Sequence, residues 1–101
     1  MTNHIIETVI FKLAHGISKA DFLEAVPSST AFIKSRSGFV CRRLSSSEDG
    51  TWIEHIEWKT MEDAKAASDA FMNDAEILPF LQLIDGPAAV LHHTQLEVSL
   101  G

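Results

Sequence analysis

Histidines and carboxylates interrupt the apolar segments of this sequence that have the composition of β-strands. Glu7 lies within "HIIETVIFKL", Glu54, His55 and Glu57 lie within "DGTWIEHIEWKT", and His93 lies within "AAVLHHTQLEV". A histidine whose pKa is tuned by a carboxylate can abstract a proton from a phenol or an activated C–H group. The sequence therefore predicts general-base chemistry in an apolar pocket.

Metal binding is the other chemistry that five histidines suggest. His92 and His93 are adjacent on a strand, so their side chains point to opposite faces and cannot bind one ion together. A metal site would need His93 to join His55 and a glutamate across strands. Phosphate-loop, zinc-protease, serine-hydrolase and EF-hand motifs are absent from the sequence. We predict no metal and no cofactor.

Length and composition predict one globular domain over residues 1–101, with 46% hydrophobic residues, 22% charged residues and a formal net charge of −6. The acidic balance and the lack of a basic cluster beyond Arg42-Arg43 argue against nucleic acid or a membrane surface as partner. The single Cys41 excludes an internal disulfide. Glu7 and Lys12 interrupt the apolar run near the N-terminus, so we expect a cytoplasmic protein.

The spacing of apolar residues and turn signals predicts the element order β-α-β-β-α-β. The strands are expected at 4–13, 39–47, 52–58 and 88–98, with a hairpin turn at Asp49-Gly50. Ser18 and Thr60 are predicted to cap the two helices, Pro27 to kink or divide the first, and Pro79 to interrupt a short helical segment. This order favours an α+β, ferredoxin-like fold. Its four-stranded antiparallel sheet has strands 1 and 3 in the centre, flanked by strands 4 and 2.

Both faces of the predicted sheet are apolar, although helices cover only one face in this fold. We expect one face to carry Ile5, Val9, Phe11, Leu13, Ile53, Ala89 and Leu91. We expect the other to carry Ile6, Ile10, Trp52, Ile56, Trp58, Ala88 and Val90. Either patch is larger than a monomer usually exposes, so we predict a homodimer that packs sheet against sheet. Which face lines the pocket and which forms the dimer interface stays open.

The strand order brings several polar side chains into one candidate site. The catalytic candidates are Glu7, His55, Glu57 and His93, expected to converge because strand 1 lies between strands 3 and 4. The candidates for binding a small aromatic or hydrophobic ligand are Trp52, Trp58, Glu54 and Phe71, with a tryptophan N–H available to hold an oxyanion.

Six of these eight candidates also have a purely structural interpretation. The histidines can be hydrogen-bonded structural residues, and Glu54 and Glu57 can pair across a dimer with Arg42, Arg43 or Lys59. Trp58 can pack beneath Ala64 and Ala67 as core, and Trp52 can belong to the dimer interface.

Four segments resemble the antibiotic-biosynthesis-monooxygenase-like proteins of the dimeric α/β-barrel superfamily, from about residue 5 to residue 97. They are "ETVIFKL", "SGFVCRRLSSSEDGTWIEHIEWKTMEDAKAA", "AFMNDAEILPFLQLID" and "LHH". The resemblance implies a ferredoxin-like fold and a homodimer. The superfamily's activities include cofactor-independent oxygenation of quinol- or anthrone-like aromatics, haem degradation and isomerisation of small metabolites.

The resemblance argues against haem degradation. Ala67 and Ile77 stand where that branch has its tryptophan and histidine, and Asn3 at the frayed start is the only asparagine near strand 1. We therefore expect a cofactor-independent monooxygenase of a small aromatic, with His55 or His93 as base. The alternatives are an isomerase or lyase that uses the same base, and a non-catalytic dimeric protein that binds a small ligand.

Overall fold

The elements of the computed structural model, which describes residues 3–101, follow the predicted order. They are β1 (Ile5–Phe11), α1 (Lys19–Lys34), β2 (Phe39–Ser46), β3 (Trp52–Trp58), α2 (Met61–Met72), α3 (Leu78–Leu81) and β4 (Val90–Gln95). The antiparallel strands are arranged β2-β3-β1-β4, so β1 and β3 are central. The α+β, ferredoxin-like fold is confirmed.

The starts of both long helices are fixed by the residues that the sequence predicted as caps. Ser18 Oγ accepts a hydrogen bond from the Asp21 N–H at 3.1 Å, and Thr60 Oγ1 accepts one from the Asp63 N–H at 3.0 Å. Each bond satisfies an N–H group that has no partner within its helix. These local bonds set where α1 and α2 begin above the sheet.

Neither of the two prolines divides the helix in which it lies. Pro27 lies inside α1 but does not divide it, since the helix is continuous over 16 residues. The neighbouring Ser29 is completely buried and donates to the Val26 carbonyl at 2.8 Å. Tertiary packing thus keeps this turn helical despite the missing proline N–H. Pro79 lies in the first turn of α3, where that N–H would have had no helical partner.

The register of β1 against β3 determines which side chains share a face. Val9 is opposite Glu54 and Ile10 is opposite Ile53. The covered face, against which the helices pack, carries Ile5, Glu7, Val9, Phe11, Trp52, Glu54, Ile56 and Trp58. The open face carries Ile6, Thr8, Ile10, Ile53, His55 and Glu57, together with Val90 and His92 of β4.

This register corrects our expected division of the apolar residues. Ile53 belongs with Ile6 and Ile10, whereas Trp52, Ile56 and Trp58 belong with Ile5, Val9 and Phe11. A shift of one residue in pairing exchanges the two faces of a strand. The alternation within β1 and within β3 does not reveal which residues of the two strands pair. Every side chain of β3 was therefore assigned to the wrong face.

Two buried clusters hold the helices on the covered face. One contains Trp58 beneath Ala64 and Ala67, as predicted. The other contains Phe11, Phe22, Trp52 and Phe80. Trp52 is therefore a core residue and not part of an exposed interface. Among residues 3–101, none of the helices has the length and apolar character needed to cross a bilayer.

Candidate functional site

A cavity of about 520 Å³ lies between the covered face and helices α1, α2 and α3. Both its size and its apolar walls are typical of small-molecule sites. The exposed side chains of Met72, Leu78 and Leu91 contribute to its lining and mark its mouth. Its walls include Val9, Phe11, Phe22, Ile33, Phe71 and Phe80.

The sheet forms the floor of this cavity and carries its charged groups. Of the side chains that the structure describes, three charged ones line the cavity, Glu7 on β1, Arg42 on β2 and Glu54 on β3. All three are largely buried, so their charges act in a medium that screens them weakly. The floor thus combines hydrogen-bonding groups with walls that exclude water.

Glu7 is paired with His93 across the two neighbouring strands. The residues are directly opposite in the β1–β4 register, and His93 Nε2 lies 3.0 Å from Glu7 Oε1. A carboxylate can only accept, so the imidazole N–H donates. His93 does not itself line the cavity. It therefore orients the carboxylate that does.

Glu54 is paired with Arg42, which also donates to two hydroxyl groups of α1. The Arg42 Nε–H donates to Glu54 Oε1 at 2.8 Å, and its Nη1 donates to Ser29 Oγ at 3.0 Å and Thr30 Oγ1 at 2.9 Å. Burial raises the pKa of Glu54 above its usual 4.5, against the opposing effect of Arg42 and with a smaller contribution from Glu7. The guanidinium is fixed, so this end of the floor is rigid.

One oxygen of Glu54 is left without a partner. Glu54 is only 8% exposed, and among residues 3–101 nothing donates to or accepts from its Oε2 atom. Buried polar atoms nearly always have a hydrogen-bond partner. The Trp58 Nε1 atom is also buried without one, but Trp58 is 1% exposed and does not line the cavity.

The structure does not bring all of the sequence-predicted catalytic candidates together. Glu7 and His93 meet at the cavity, whereas His55 and Glu57 lie on the open face, on the other side of the sheet. Glu57 Oε2 lies 2.5 Å from His4 Nδ1 there. The expected convergence failed for the same reason as the apolar assignment, because β3 was placed one residue out of register.

The predicted ligand-binding candidates divide in a similar way. Glu54 and Phe71 line the cavity. Trp52 and Trp58 are buried in the two core clusters, and neither is among the residues that line it. The expected use of a tryptophan N–H for an oxyanion therefore has no geometric support.

Arg42 is the site residue that the sequence did not reveal. A β-bulge between Phe39 and Cys41 shifts the alternation of β2, so that Arg42 faces the helices and Arg43 does not. Simple alternation from Phe39 gives the opposite result. Among residues 3–101, no three histidine, cysteine, aspartate or glutamate side chains are grouped to bind a metal ion.

Comparison with known proteins gives a clear result for structure and none for sequence. No family profile matches the chain, and no curated protein matches it either. SnoaB from Streptomyces nogalater, a cofactor-independent oxygenase, aligns over 99% of this chain and 97% of its own, with a TM-score of 0.67 and 17% identity. The monooxygenase ActVA-Orf6 of Streptomyces coelicolor, solved with nanaomycin D, aligns over 97% and 91%, with a TM-score of 0.73 and 16% identity.

A third solved structure agrees with these two. A provisionally assigned antibiotic biosynthesis monooxygenase from Nitrosomonas europaea aligns over 100% of this chain and 97% of its own, with a TM-score of 0.73 and 16% identity. At such identities the likeness establishes the fold and leaves the chemistry to the site itself. Over nearly its whole length, then, this chain has the fold of the antibiotic biosynthesis monooxygenase structures, as the resemblance in its sequence predicted.

Proposed function

We propose that this protein is a cofactor-independent monooxygenase that acts on a small quinol- or anthrone-like aromatic. The observation that carries the proposal is the Glu7–His93 pair at the floor of an apolar cavity. SnoaB, which shares the fold, is a cofactor-independent oxygenase, and ActVA-Orf6 binds nanaomycin D.

In this proposal Glu7 is the general base. The Glu7 carboxylate removes a proton from a phenol or an activated ring C–H group, while His93 donates to its other oxygen and holds it in place. Glu7 touches the substrate and His93 is a positioning residue. The Arg42 guanidinium, which lines the same cavity and is paired with Glu54, offsets part of the charge of the resulting anion.

Deprotonation makes the ring electron-rich enough to react directly with dioxygen. For a ring methylene group the balance is R₂CH₂ + O₂ → R₂C=O + H₂O. Two C–H bonds and the O–O bond break, one oxygen atom enters the substrate, and the other leaves as water with both hydrogens. All four electrons that dioxygen accepts come from the substrate, so the reaction needs no further reductant.

We also propose that two copies of the chain associate through the open face. Ile10, Ile53 and Val90 form a row across three strands of this face and are 38%, 40% and 48% exposed. Their burial by a second copy would contribute roughly 25 cal/mol per Å² of apolar area removed from water. This interface leaves the cavity, on the covered face, free in each subunit.

Oxygen uptake with a panel of hydroquinones and anthrones tests the proposed reaction. We expect uptake by the wild-type protein and a fall of roughly 10²- to 10⁴-fold in Glu7→Gln, the usual contribution of a general base. The matched control is Glu57→Gln, which makes the same change on the opposite face of the sheet. Glu57→Gln should retain the wild-type rate.

The alternative function uses the same base without dioxygen, because nothing in the Glu7–His93 pair is specific to oxygenation. Exchange of substrate C–H hydrogen with deuterium oxide, without oxygen uptake and lost in Glu7→Gln, would indicate an isomerase or lyase. Ligand binding with neither uptake nor exchange would indicate a non-catalytic binding protein. Equal rates in wild type and Glu7→Gln would refute the assigned base.

A further inference from the structure

The unpartnered oxygen of Glu54 is the feature of the cavity that general-base chemistry does not use. Glu54 is more than nine-tenths buried and lines the cavity, and its Oε2 atom has no hydrogen-bond partner among residues 3–101. Its Oε1 atom is already occupied by the Arg42 Nε–H at 2.8 Å. A buried acceptor left unpaired costs roughly 1–3 kcal/mol, and more for a charged group.

Rotation of the side chain offers little relief. Arg42 is anchored by Ser29 and Thr30 on α1 and donates to only one carboxyl oxygen of Glu54, so exchange of the two oxygens still leaves one without a partner. The free oxygen is shielded from solvent in this structure, so a ligand hydroxyl group reaches it when the carboxyl turns toward the cavity that Glu54 lines.

We propose that Glu54 is a specificity-determining residue whose Oε2 atom accepts a hydrogen bond from a hydroxyl group of the ligand, distinct from the group that Glu7 deprotonates. The ligand class is then a neutral aromatic with two hydroxyl groups, one directed at each carboxylate. This inference rests on the proposed function for the role of Glu7, and adds a second recognition point on β3.

The charges of the floor support a neutral donor over an anion. Glu7 and Glu54 both line the cavity, and each raises the cost of a further negative charge nearby. Among residues 3–101, Arg42 is the one cation that lines the cavity, and it already donates to Glu54. An aromatic carboxylate would add a third anion to this floor, whereas a hydroxyl group supplies the hydrogen that Oε2 lacks.

Anaerobic calorimetry with three probes tests the inference, because exclusion of oxygen separates binding from turnover. The probes are 1,4-dihydroxynaphthalene, 4-methoxy-1-naphthol and 1,4-dimethoxynaphthalene, which share one ring system and carry two, one and no hydroxyl hydrogens. Titrations are run at pH 8, on the alkaline side, because burial raises the pKa of Glu54 and the ionised carboxylate is the stronger acceptor. We expect wild-type affinity to fall roughly 10- to 100-fold from the diol to the monoether, the usual effect of losing a hydrogen bond to a charged group.

The variant Glu54→Gln should reduce this preference for the diol to about threefold or less. Its amide NH₂ can donate to an ether oxygen, so the methyl ether is no longer penalised. The ratio of two affinities in one variant is the readout, so a general loss of stability does not mimic the result. Glu57→Gln, on the opposite face, should keep the wild-type ratio.

The outcomes separate this inference from the proposed oxygenation. Equal binding of diol and monoether by the wild type, an unchanged ratio in Glu54→Gln, or no binding of any probe at millimolar concentration would overturn the role of Glu54. Oxygen uptake that depends on Glu7 could still stand in any of those cases. A Glu54-dependent preference without oxygen uptake would support the inference while refuting the oxygenase.

Discussion

The two faces of the sheet have nearly the same alternation of apolar and ionisable residues, yet they present different surfaces. On the covered face, Glu7 and Glu54 are each paired with a basic side chain and lie at the floor of a cavity. On the open face, Ile10, Ile53 and Val90 remain partly exposed beside His55 and His92.

This contrast shows that the helices, and not the strands, decide what each face can do. Ionisable groups on a strand become a site when a second layer removes them from water and leaves space above them. The same groups without that layer are part of a surface suited to association. The following predictions test the division, beginning with the largest effect.

Replacement of Phe22 by alanine should damage the covered side most. Phe22 is fully buried on α1, and its ring lies 4.9 Å from that of Trp52 and 5.3 Å from that of Phe80. We expect a loss of about 3–5 kcal/mol in the free energy of unfolding. Urea denaturation monitored by tryptophan fluorescence measures it, and a loss below about 1 kcal/mol would contradict the packing described here.

Replacement of Ile10 by aspartate should affect association and leave the fold intact. Ile10 lies in the apolar row of the open face, where a charge would be buried between two copies without a partner. We expect the dimer dissociation constant to rise at least about 100-fold in sedimentation equilibrium. Ile10→Val is the matched control and should remain dimeric. A wild-type protein that is monomeric at micromolar concentration would contradict the proposed interface.

The two central histidine candidates should respond differently to the same substitution. His93→Asn removes the 3.0 Å contact with Glu7 and should lower kcat/KM roughly 10- to 100-fold and alter its pH dependence. His55→Asn alters only the open face and should change neither. Steady-state oxygen uptake across a range of pH measures both, and equal losses would show that the faces are not functionally separate.

The smallest effect concerns the pH dependence of stability at Glu54. Its pKa is raised in the folded protein, so between 4.5 and that higher value the folded state binds more protons than the unfolded state. The contribution of Glu54 to stability is therefore lost as pH rises through this window. The unfolding free energy of Glu54→Gln relative to wild type should increase over the same range, with Arg42 and Glu7 as the charged neighbours. A constant difference from pH 4 to 8 would contradict the burial effect.

Local signals in the sequence were sufficient for the elements and their order. Ser18 and Thr60 cap helices through bonds to residues three positions on, and such contacts depend only on neighbours along the chain. The same holds for the Asp49-Gly50 turn, where Gly50 adopts a φ of 89°.

The register between strands that are distant along the chain could not be predicted from the sequence. Whether Glu54 or His55 shares a face with Glu7 depends on which residues of β1 and β3 pair, and 40 residues of chain separate these strands. The bulge in β2 that turns Arg42 toward the helices carries no residue signature of its own, since no glycine lies within the strand. The types of residue at the site were thus predictable, namely carboxylates beside a histidine in apolar surroundings. Which particular residues lie there was not.

Because Arg42 is anchored, the two walls of the cavity should differ in how easily they are displaced. Its hydrogen bonds join β2 to β3 and to Ser29 and Thr30 of α1, so separating α1 from the sheet would break a charged network. In the part of the chain that the structure describes, Arg42 makes no hydrogen bond to the opposite wall, formed by α2 and the four-residue α3. Larger ligands should therefore be accommodated by displacement of that wall, while α1 and the strands keep their positions.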